Sequence, residues 1–236
     1  MATEGTSVPG TYNSMINNKL NNIDSYSETT NYWKAATFAM GILRATPLNF
    51  ESSSTQGAIA LYEIEKEKCV LITNHHLLPR TDIEFICGSY INFEGLGRLI
   101  LHPADIESIT TNVELDATVI QLSNDMVFHL TQRGAKFLKI DDARIGEEVV
   151  IVKSPYGFFA IDNGIIHEIK DCTLYYTTKE GFGSSGSPIL QKNFHAIGLH
   201  RNTDINSGYN IENCCIATQL VDIVAFHLKS QNAEPL

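Results

Sequence analysis

The stretch EGFGSSGSPIL, residues 180–190, combines three glycines, three serines and one proline shortly after a strand-like run, DCTLYYTT. Glycine, serine and proline are typical of surface loops, so a plain loop is one interpretation. The other is that one serine is a nucleophile whose backbone is shaped by the glycines. Gly183 precedes Ser185 by two positions and Gly186 follows it directly, so the chain can turn tightly enough for two N–H groups to point at one spot.

Composition limits the kinds of partner that the chain can bind. Its 236 residues suit one large β domain or two small ones, and 43% of them are apolar, so a sizeable core can form. The net charge is −10 and no cluster of lysine or arginine occurs. Because phosphate binding needs concentrated positive charge, we do not expect a nucleic-acid partner.

The sequence gives no sign of a membrane segment, a signal peptide or a metal site. No apolar run reaches the ~18 residues of a membrane span, and the first thirty residues lack the apolar region of a signal peptide. The five cysteines are odd in number and show no C-x-x-C spacing, which argues against a disulfide framework or a zinc site. We therefore expect a cytoplasmic or nuclear protein without metal or cofactor.

The amino-acid composition of the chain changes after residue 32. Residues 1–32 are rich in Asn, Ser and Thr and are predicted to form a flexible leader. Short apolar segments such as GAIALYEI, KCVLIT and EEVVIVK then follow one another between turn residues. This spacing predicts an all-β sandwich or barrel over residues 33–236.

One segment near the C-terminus has helical rather than strand periodicity. In ATQLVDIVAFHLKS, Leu220, Val224 and Leu228 fall on one side at helical spacing. Thr218 is a candidate cap for the start of the helix. The prediction is one closing helix over about residues 218–229.

Two further segments carry residues suited to acyl transfer by a serine, which needs a base and a carboxylate that orients it. In CVLITNHHLLP, His75 and His76 follow the end of an apolar strand. In VELDATVIQL, Asp116 heads a strongly apolar strand, where its burial would be costly unless it were paired. Glu114 is the second choice for the carboxylate. From the residues alone, either histidine is eligible, and each of these groups also has a purely structural explanation.

The three segments together, ITNHH, DATVIQL and GSSGSP, resemble the signature segments of the trypsin-like serine proteases. The resemblance implies a chymotrypsin fold, that is, two six-stranded antiparallel β-barrels with a C-terminal helix. It also implies that His76 is the base, Asp116 the carboxylate and Ser185 the nucleophile. The N–H groups of Gly183 and Ser185 would form the oxyanion hole.

Two sequence differences from the digestive enzymes of this family indicate which branch of the family the chain resembles. Ser184 stands where those enzymes have an aspartate that pairs with a cut N-terminus, and Leu77 replaces the cysteine that follows the histidine. The chain is in these respects similar to the disulfide-free branch, which includes HtrA proteases, glutamyl endopeptidases and animal nuclear trypsin-like peptidases. HtrA chains continue into a PDZ module, so we expect this chain to differ from HtrA proper.

The resemblance also suggests where specificity is determined. One pocket wall would come from TTKEGF, with Lys179 and Glu180, and the other from AIGLHRN, with Gly198 and His200. In glutamyl endopeptidases a histidine in the position of His200 reads an acidic side chain. Lys179 would support that preference, whereas Glu180 would favour a basic residue, and animal members favour apolar ones. The preference therefore stays open.

The predicted function is a serine endopeptidase that acts on a protein or peptide substrate, with a regulatory protein partner or a conformational switch as candidate controls. The alternative is a catalytically latent module of the same fold that binds a partner through its peptide cleft. A hydrolase of another fold is a weaker option, since Gly183, Ser185 and Ser187 also satisfy G-x-S-x-G. The chain order Ser, Asp, His that such a fold needs is not available here.

Overall fold

The computed structural model describes residues 38–45, 55–65, 68–79, 86–87, 89–153, 160–178, 185–203 and 214–232. All of these belong to one compact unit that spans residues 35–236. The predicted leader, residues 1–32, lies outside the described residues.

The first half of this unit is an eight-stranded sheet that is antiparallel apart from one short parallel pair. Seven strands follow the order β5-β4-β1-β2-β3-β7-β6, and β8 pairs with β2 in parallel. The strands are β1 (Met40–Ala45), β2 (Thr55–Glu65), β3 (Lys68–Thr73), β4 (Tyr90–Phe93), β5 (Gly97–Leu99), β6 (Ile106–Asn112), β7 (Ala117–Leu122) and β8 (Leu138–Lys139).

The second half is a closed antiparallel barrel of six strands in the order β10-β11-β14-β13-β12-β9. Its strands are β9 (Glu148–Lys153), β10 (Ala160–Lys170), β11 (Thr173–Thr178), β12 (Pro188–Leu190), β13 (Ala196–Thr203) and β14 (Cys214–Gln219). One of the two predicted six-stranded barrels is therefore present. Within the described residues the first sheet has eight strands and does not close, so the second barrel is not confirmed.

Each sheet encloses its own apolar core. Ile59, Leu71 and Ile120 lie at the centre of the first core, and Ile151 and Ile189 at the centre of the second. Strand β7 (ATVIQL) is buried at every position. A strand that is covered on both faces reads as a continuous apolar run rather than an alternating one. This explains why its sequence looked strongly apolar.

Two α-helices have both of their ends within the described residues, and one of them was not predicted from the sequence. Helix α1 (Asn124–Gln132) follows β7, and the hydroxyl of Ser123 caps it by accepting the N–H of Met126 at 3.3 Å. A serine before a helical run is an ordinary N-terminal signal. A short 3-10 helix, Pro103–Asp105, precedes β6.

Helix α2 (Leu220–Asn232) confirms the predicted C-terminal helix but not its details. Its buried positions are Leu220, Ile223 and His227, so the buried face is rotated from the predicted stripe of Leu220, Val224 and Leu228. The predicted cap was wrong: Thr218 belongs to β14, and its hydroxyl donates to the carbonyl of a residue in the β6–β7 turn. No helix in the described part of the chain is long and apolar enough to cross a bilayer.

Candidate active site

His76 lies in a tight turn at the end of β3. The N–H groups of Leu77 and Leu78 both donate to the carbonyl of Asn74 at 3.2 Å, which closes the turn around the histidine. The side chain of His76 is 46% exposed. Its ring is therefore available to a group that enters from solvent.

Asp116 receives two hydrogen bonds from His76. The ring atom Nδ1 lies 2.8 Å from Oδ2, and the backbone N–H of His76 donates to Oδ1 at 3.0 Å. An ionised carboxylate only accepts hydrogen bonds, so this contact places the ring proton on Nδ1. The atom Nε2 is then left as an acceptor, which is the state that a general base requires.

The turn between β6 and β7 holds Asp116 in a left-handed backbone conformation, with φ of 48°. A non-glycine residue adopts this conformation at a cost, so its surroundings must fix it. The amide of Asn74 donates to the carbonyl of Asp116 at 3.1 Å, and the hydroxyl of Thr218 donates to the carbonyl of Leu115 at 2.8 Å. The Leu115 N–H also donates to the side chain of Asn112. Residues from β14 and from the His76 turn thus hold the carboxylate in place.

Asp116 is held in its ionised form. Burial alone would raise its pKa, because the side chain is only 13% exposed. The hydrogen bonds from His76 and the positive charges of His76 and Arg201 outweigh burial, so the pKa of Asp116 lies below its ordinary value. An ionised carboxylate is what an orienting partner of a catalytic histidine must be.

Ser185 sits where the two sheets meet, just before β12. Its carbonyl accepts the N–H of Ala58 on β2 at 2.8 Å. The N–H of Gly186 donates to the carbonyl of His200 at 3.0 Å, and the N–H of His200 donates to Ser187 at 2.9 Å. The turn is therefore clamped between β2 of the first sheet and β13 of the barrel.

The hydroxyl of Ser185 is directed at the barrel strand β13. It donates to the carbonyl of Arg201 at 3.0 Å. Among the described contacts of these residues, no hydrogen bond joins Ser185 to His76. The structure thus brings His76 and Asp116 together and links Ser185 to the pair through Arg201, whose Nε lies 3.7 Å from Asp116 Oδ2.

His200, one of the predicted pocket residues, lies inside the barrel. It is 1% exposed, and its Nδ1 lies 2.6 Å from the hydroxyl of Tyr176, which is equally buried. Burial, and secondarily the nearby thiols of Cys214 and Cys215, raises the pKa of the Tyr176 hydroxyl, so the phenol stays protonated. Tyr176 is therefore placed to donate its proton to His200.

The other predicted pocket residue within the described part of the chain is Gly198. Gly198 lies in β13, and a side chain there would press on Leu174 and Ile189 of the barrel core. Lys179, Glu180 and Gly183 lie outside the described residues.

Arg201 is the residue that the sequence reasoning missed. It follows His200 in the segment assigned to the pocket wall, and it contacts both Ser185 and Asp116. A signal was present in the sequence, because Arg201 is a cation directly after the predicted pocket histidine. Nothing local indicated that the cation would turn toward the carboxylate.

Comparison with known proteins supports the fold. No protein-family model matches the chain, and no curated protein sequence matches it. Solved structures do match. The active form of the Rv3671c protease from M. tuberculosis has a TM-score of 0.59 at 14% identity, covering 86% of this chain and 85% of that one. An inactive mutant form of Rv3671c from M. tuberculosis H37Rv has a TM-score of 0.57 at 14% identity, with 86% and 91% covered.

A third similar structure is the HtrA-type protease AlgW in complex with a tripeptide. Its TM-score is 0.61 at 16% identity, and the match covers 85% of this chain but 62% of that one. At such low identity these matches bear on the fold alone. The chain therefore shares the overall fold of these proteases, which agrees at the level of the fold with the resemblance of its signature segments.

Proposed function

We propose that this protein is a serine endopeptidase in which His76, Asp116 and Ser185 form the catalytic triad. The observation that carries the proposal is the double hydrogen bond from His76 to the ionised carboxylate of Asp116, with the ring half-exposed. A purely structural role for His76 does not require an exposed imidazole that is oriented in this way, with Nε2 able to accept a proton. The protease-like fold of the chain supports the same conclusion.

The reaction follows from the chemistry of these groups. Ser185 turns its hydroxyl from Arg201 toward His76, and Oγ attacks the peptide carbonyl while Nε2 takes the proton. Asp116 stabilises the imidazolium that forms. The imidazolium then gives its proton to the leaving amine, and an acyl-enzyme remains. Water deprotonated by His76 attacks this ester, and the acid product leaves as Ser185 regains its proton.

The oxyanion of each tetrahedral intermediate needs N–H donors, and we assign the backbone N–H groups of Gly183 and Ser185 to this role. Removal of one such donor elsewhere costs ~2.7–4 kcal/mol of barrier. The substrate is a protein or peptide, and Lys179, Glu180, Gly198 and His200 stay our candidates for the pocket. Cleavage of a randomised peptide library would report whether an acidic, apolar or basic residue is preferred before the cut bond.

Two substitutions test the triad directly. Ser185→Ala and His76→Ala are each expected to lower kcat by about 10⁴-fold, because the members of a triad act as one unit. The matched control is His75→Ala, one position away, which is expected to keep most of the activity. A loss of less than about tenfold in the two triad variants contradicts the assignment. Loss in the His75 variant alone shows that the base was assigned one residue too late.

One observation favours a second candidate, a latent module of the same fold that binds a partner in its cleft. The hydroxyl of Ser185 donates to the carbonyl of Arg201 rather than to the base. A fluorophosphonate probe separates the two candidates, because it labels only a serine whose proton is taken up by a base. Labelling at Ser185 supports the enzyme, whereas a folded protein that resists labelling supports the latent module.

A further inference from the structure

We propose that the Arg201 side chain is a positioning residue of the triad, which shares the carboxylate of Asp116 with His76 and thereby keeps that carboxylate ionised and aimed at the ring. This inference rests on the proposed function, since it concerns the same site. It adds a residue to which neither the fold nor the signature segments gave a role.

The geometry places an imidazole N–H and a guanidinium beside one carboxylate oxygen. Oδ2 of Asp116 lies 2.8 Å from Nδ1 of His76 and 3.7 Å from Nε of Arg201. The carboxylate is 13% exposed and the Arg201 side chain 28%, so solvent screens this interaction only in part. The guanidinium cannot be deprotonated in a protein, so its charge is present at every working pH.

Among the described residues, the groups whose charges act on Asp116 are His76, from the turn after β3, and Arg201, from β13. From β14, Thr218 contributes a neutral hydroxyl to the adjoining carbonyl of Leu115. On the turn itself the nearest carboxylate, Glu114, is exposed.

A fixed cation beside Asp116 stabilises the carboxylate over the neutral acid, because opposite charges attract. The charge of Arg201 therefore helps to keep the pKa of Asp116 below its ordinary value. The carboxylate that orients the ring of His76 then stays ionised and keeps its place beside Nδ1.

Side-chain variants separate this effect from the backbone contact of the same residue. Arg201→Gln removes the charge but keeps the carbonyl that accepts the Ser185 hydroxyl, and Arg201→Lys keeps both. The matched control is Arg144→Gln, which removes an arginine whose charge acts on a different carboxylate, Asp141.

The first measurement is the steady-state kinetics of peptide hydrolysis. In Arg201→Gln, kcat is expected to fall by roughly threefold to tenfold with KM unchanged, while Arg201→Lys restores kcat. Arg144→Gln is expected to match the unsubstituted protein. Equal kcat values for Arg201→Gln and Arg144→Gln would overturn the inference.

The second measurement does not depend on activity. The carboxyl-carbon NMR signal of Asp116 can be titrated in the folded protein, and its midpoint is expected at higher pH in Arg201→Gln than in Arg201→Lys. Equal midpoints would overturn the inference even in a latent protein. If instead the midpoint shifts but Ser185→Ala is as active as the unsubstituted protein, the proposed function fails, whereas the electrostatic coupling of Arg201 to Asp116 stands.

Discussion

Gly186, the residue after the proposed nucleophile, allows the sharpest test of how the site is built. Its φ is 82°, and a Cβ there would fall well inside contact distance of the Ala58 carbonyl oxygen, with the hydroxyl of Thr73 at 3.0 Å. The clashing atom belongs to the backbone, so it cannot swing away as a side-chain end does. Gly186→Ala must therefore push β2 and the Ser185 turn apart.

The cost of this substitution has two parts. An alanine in the left-handed region costs about 1–2 kcal/mol. Separation of β2 from the turn also weakens two hydrogen bonds, from the Ala58 N–H to Ser185 at 2.8 Å and from the Thr73 hydroxyl to Ala58 at 2.7 Å, each worth about 0.5–1.5 kcal/mol. Gly186→Ala should therefore lower the free energy of unfolding by about 2–5 kcal/mol.

Gly146 provides a matched control. Its φ is 81°, but a Cβ there meets no described atom within 4 Å. Gly146→Ala should therefore lower the free energy of unfolding by the backbone strain alone, about 1–2 kcal/mol. In a domain of this size each kcal/mol lowers Tm by roughly 2–4 °C, so thermal unfolding resolves the difference.

Activity provides a second comparison between the two variants. Gly186→Ala is expected to lose most peptide hydrolysis even well below its Tm, because a displacement of about 1 Å near the reacting atoms costs on the order of 10²-fold. Gly146→Ala is expected to keep it. Equal Tm and activity in both variants would refute the idea that contact with β2 fixes the Ser185 turn.

Three further predictions concern other parts of the structure. Asp116→Asn should lower kcat by about 10⁴-fold with an unchanged circular dichroism spectrum, because the amide stabilises the wrong tautomer of His76; an active variant would remove Asp116 from the triad. Tyr176→Phe should cost about 1–3 kcal/mol in urea unfolding, since it deletes a buried hydrogen bond to His200; an unchanged midpoint would contradict this. Burial, and secondarily the charge of Lys68, lowers the pKa of His227. The free energy of unfolding should therefore fall as the pH drops below about 6.5, the ordinary histidine value. His227→Gln should flatten this dependence between about pH 7 and 5. Equal slopes in urea unfolding for both proteins would show that another group dominates.

The local parts of the site could be predicted from the sequence because each depends on a few adjacent residues. A strand that ends in TNHH places a histidine at a sheet edge, and an aspartate before an apolar strand places a carboxylate in a turn. The structure brings His76 and Asp116 within 2.8 Å of each other across 40 residues of chain. The repeated short apolar segments likewise predicted an all-β fold, because strand length and turn spacing are local properties.

The parts that depend on tertiary contacts could not be predicted. The helix face was assigned from apolar residues, whereas packing buries His227, which is satisfied by Thr110 on β6 at 2.8 Å. Thr218 looked like a helix cap, but its hydroxyl serves the Asp116 turn. In both cases a polar side chain found its partner across the molecule, and periodicity carries no information about such partners.

The proposed mechanism requires the Ser185 hydroxyl to leave the carbonyl of Arg201 and to donate to Nε2 of His76. This change would exchange one neutral bond, to the Arg201 carbonyl at 3.0 Å, for another. Such an exchange has a net cost near zero, about 1 kcal/mol either way, so a small bias selects the state. A substrate N–H that donates to the Arg201 carbonyl would compete with the Ser185 hydroxyl for it. Substrate binding would then release the nucleophile toward its base, and the resting hydrogen bond would be compatible with an active enzyme.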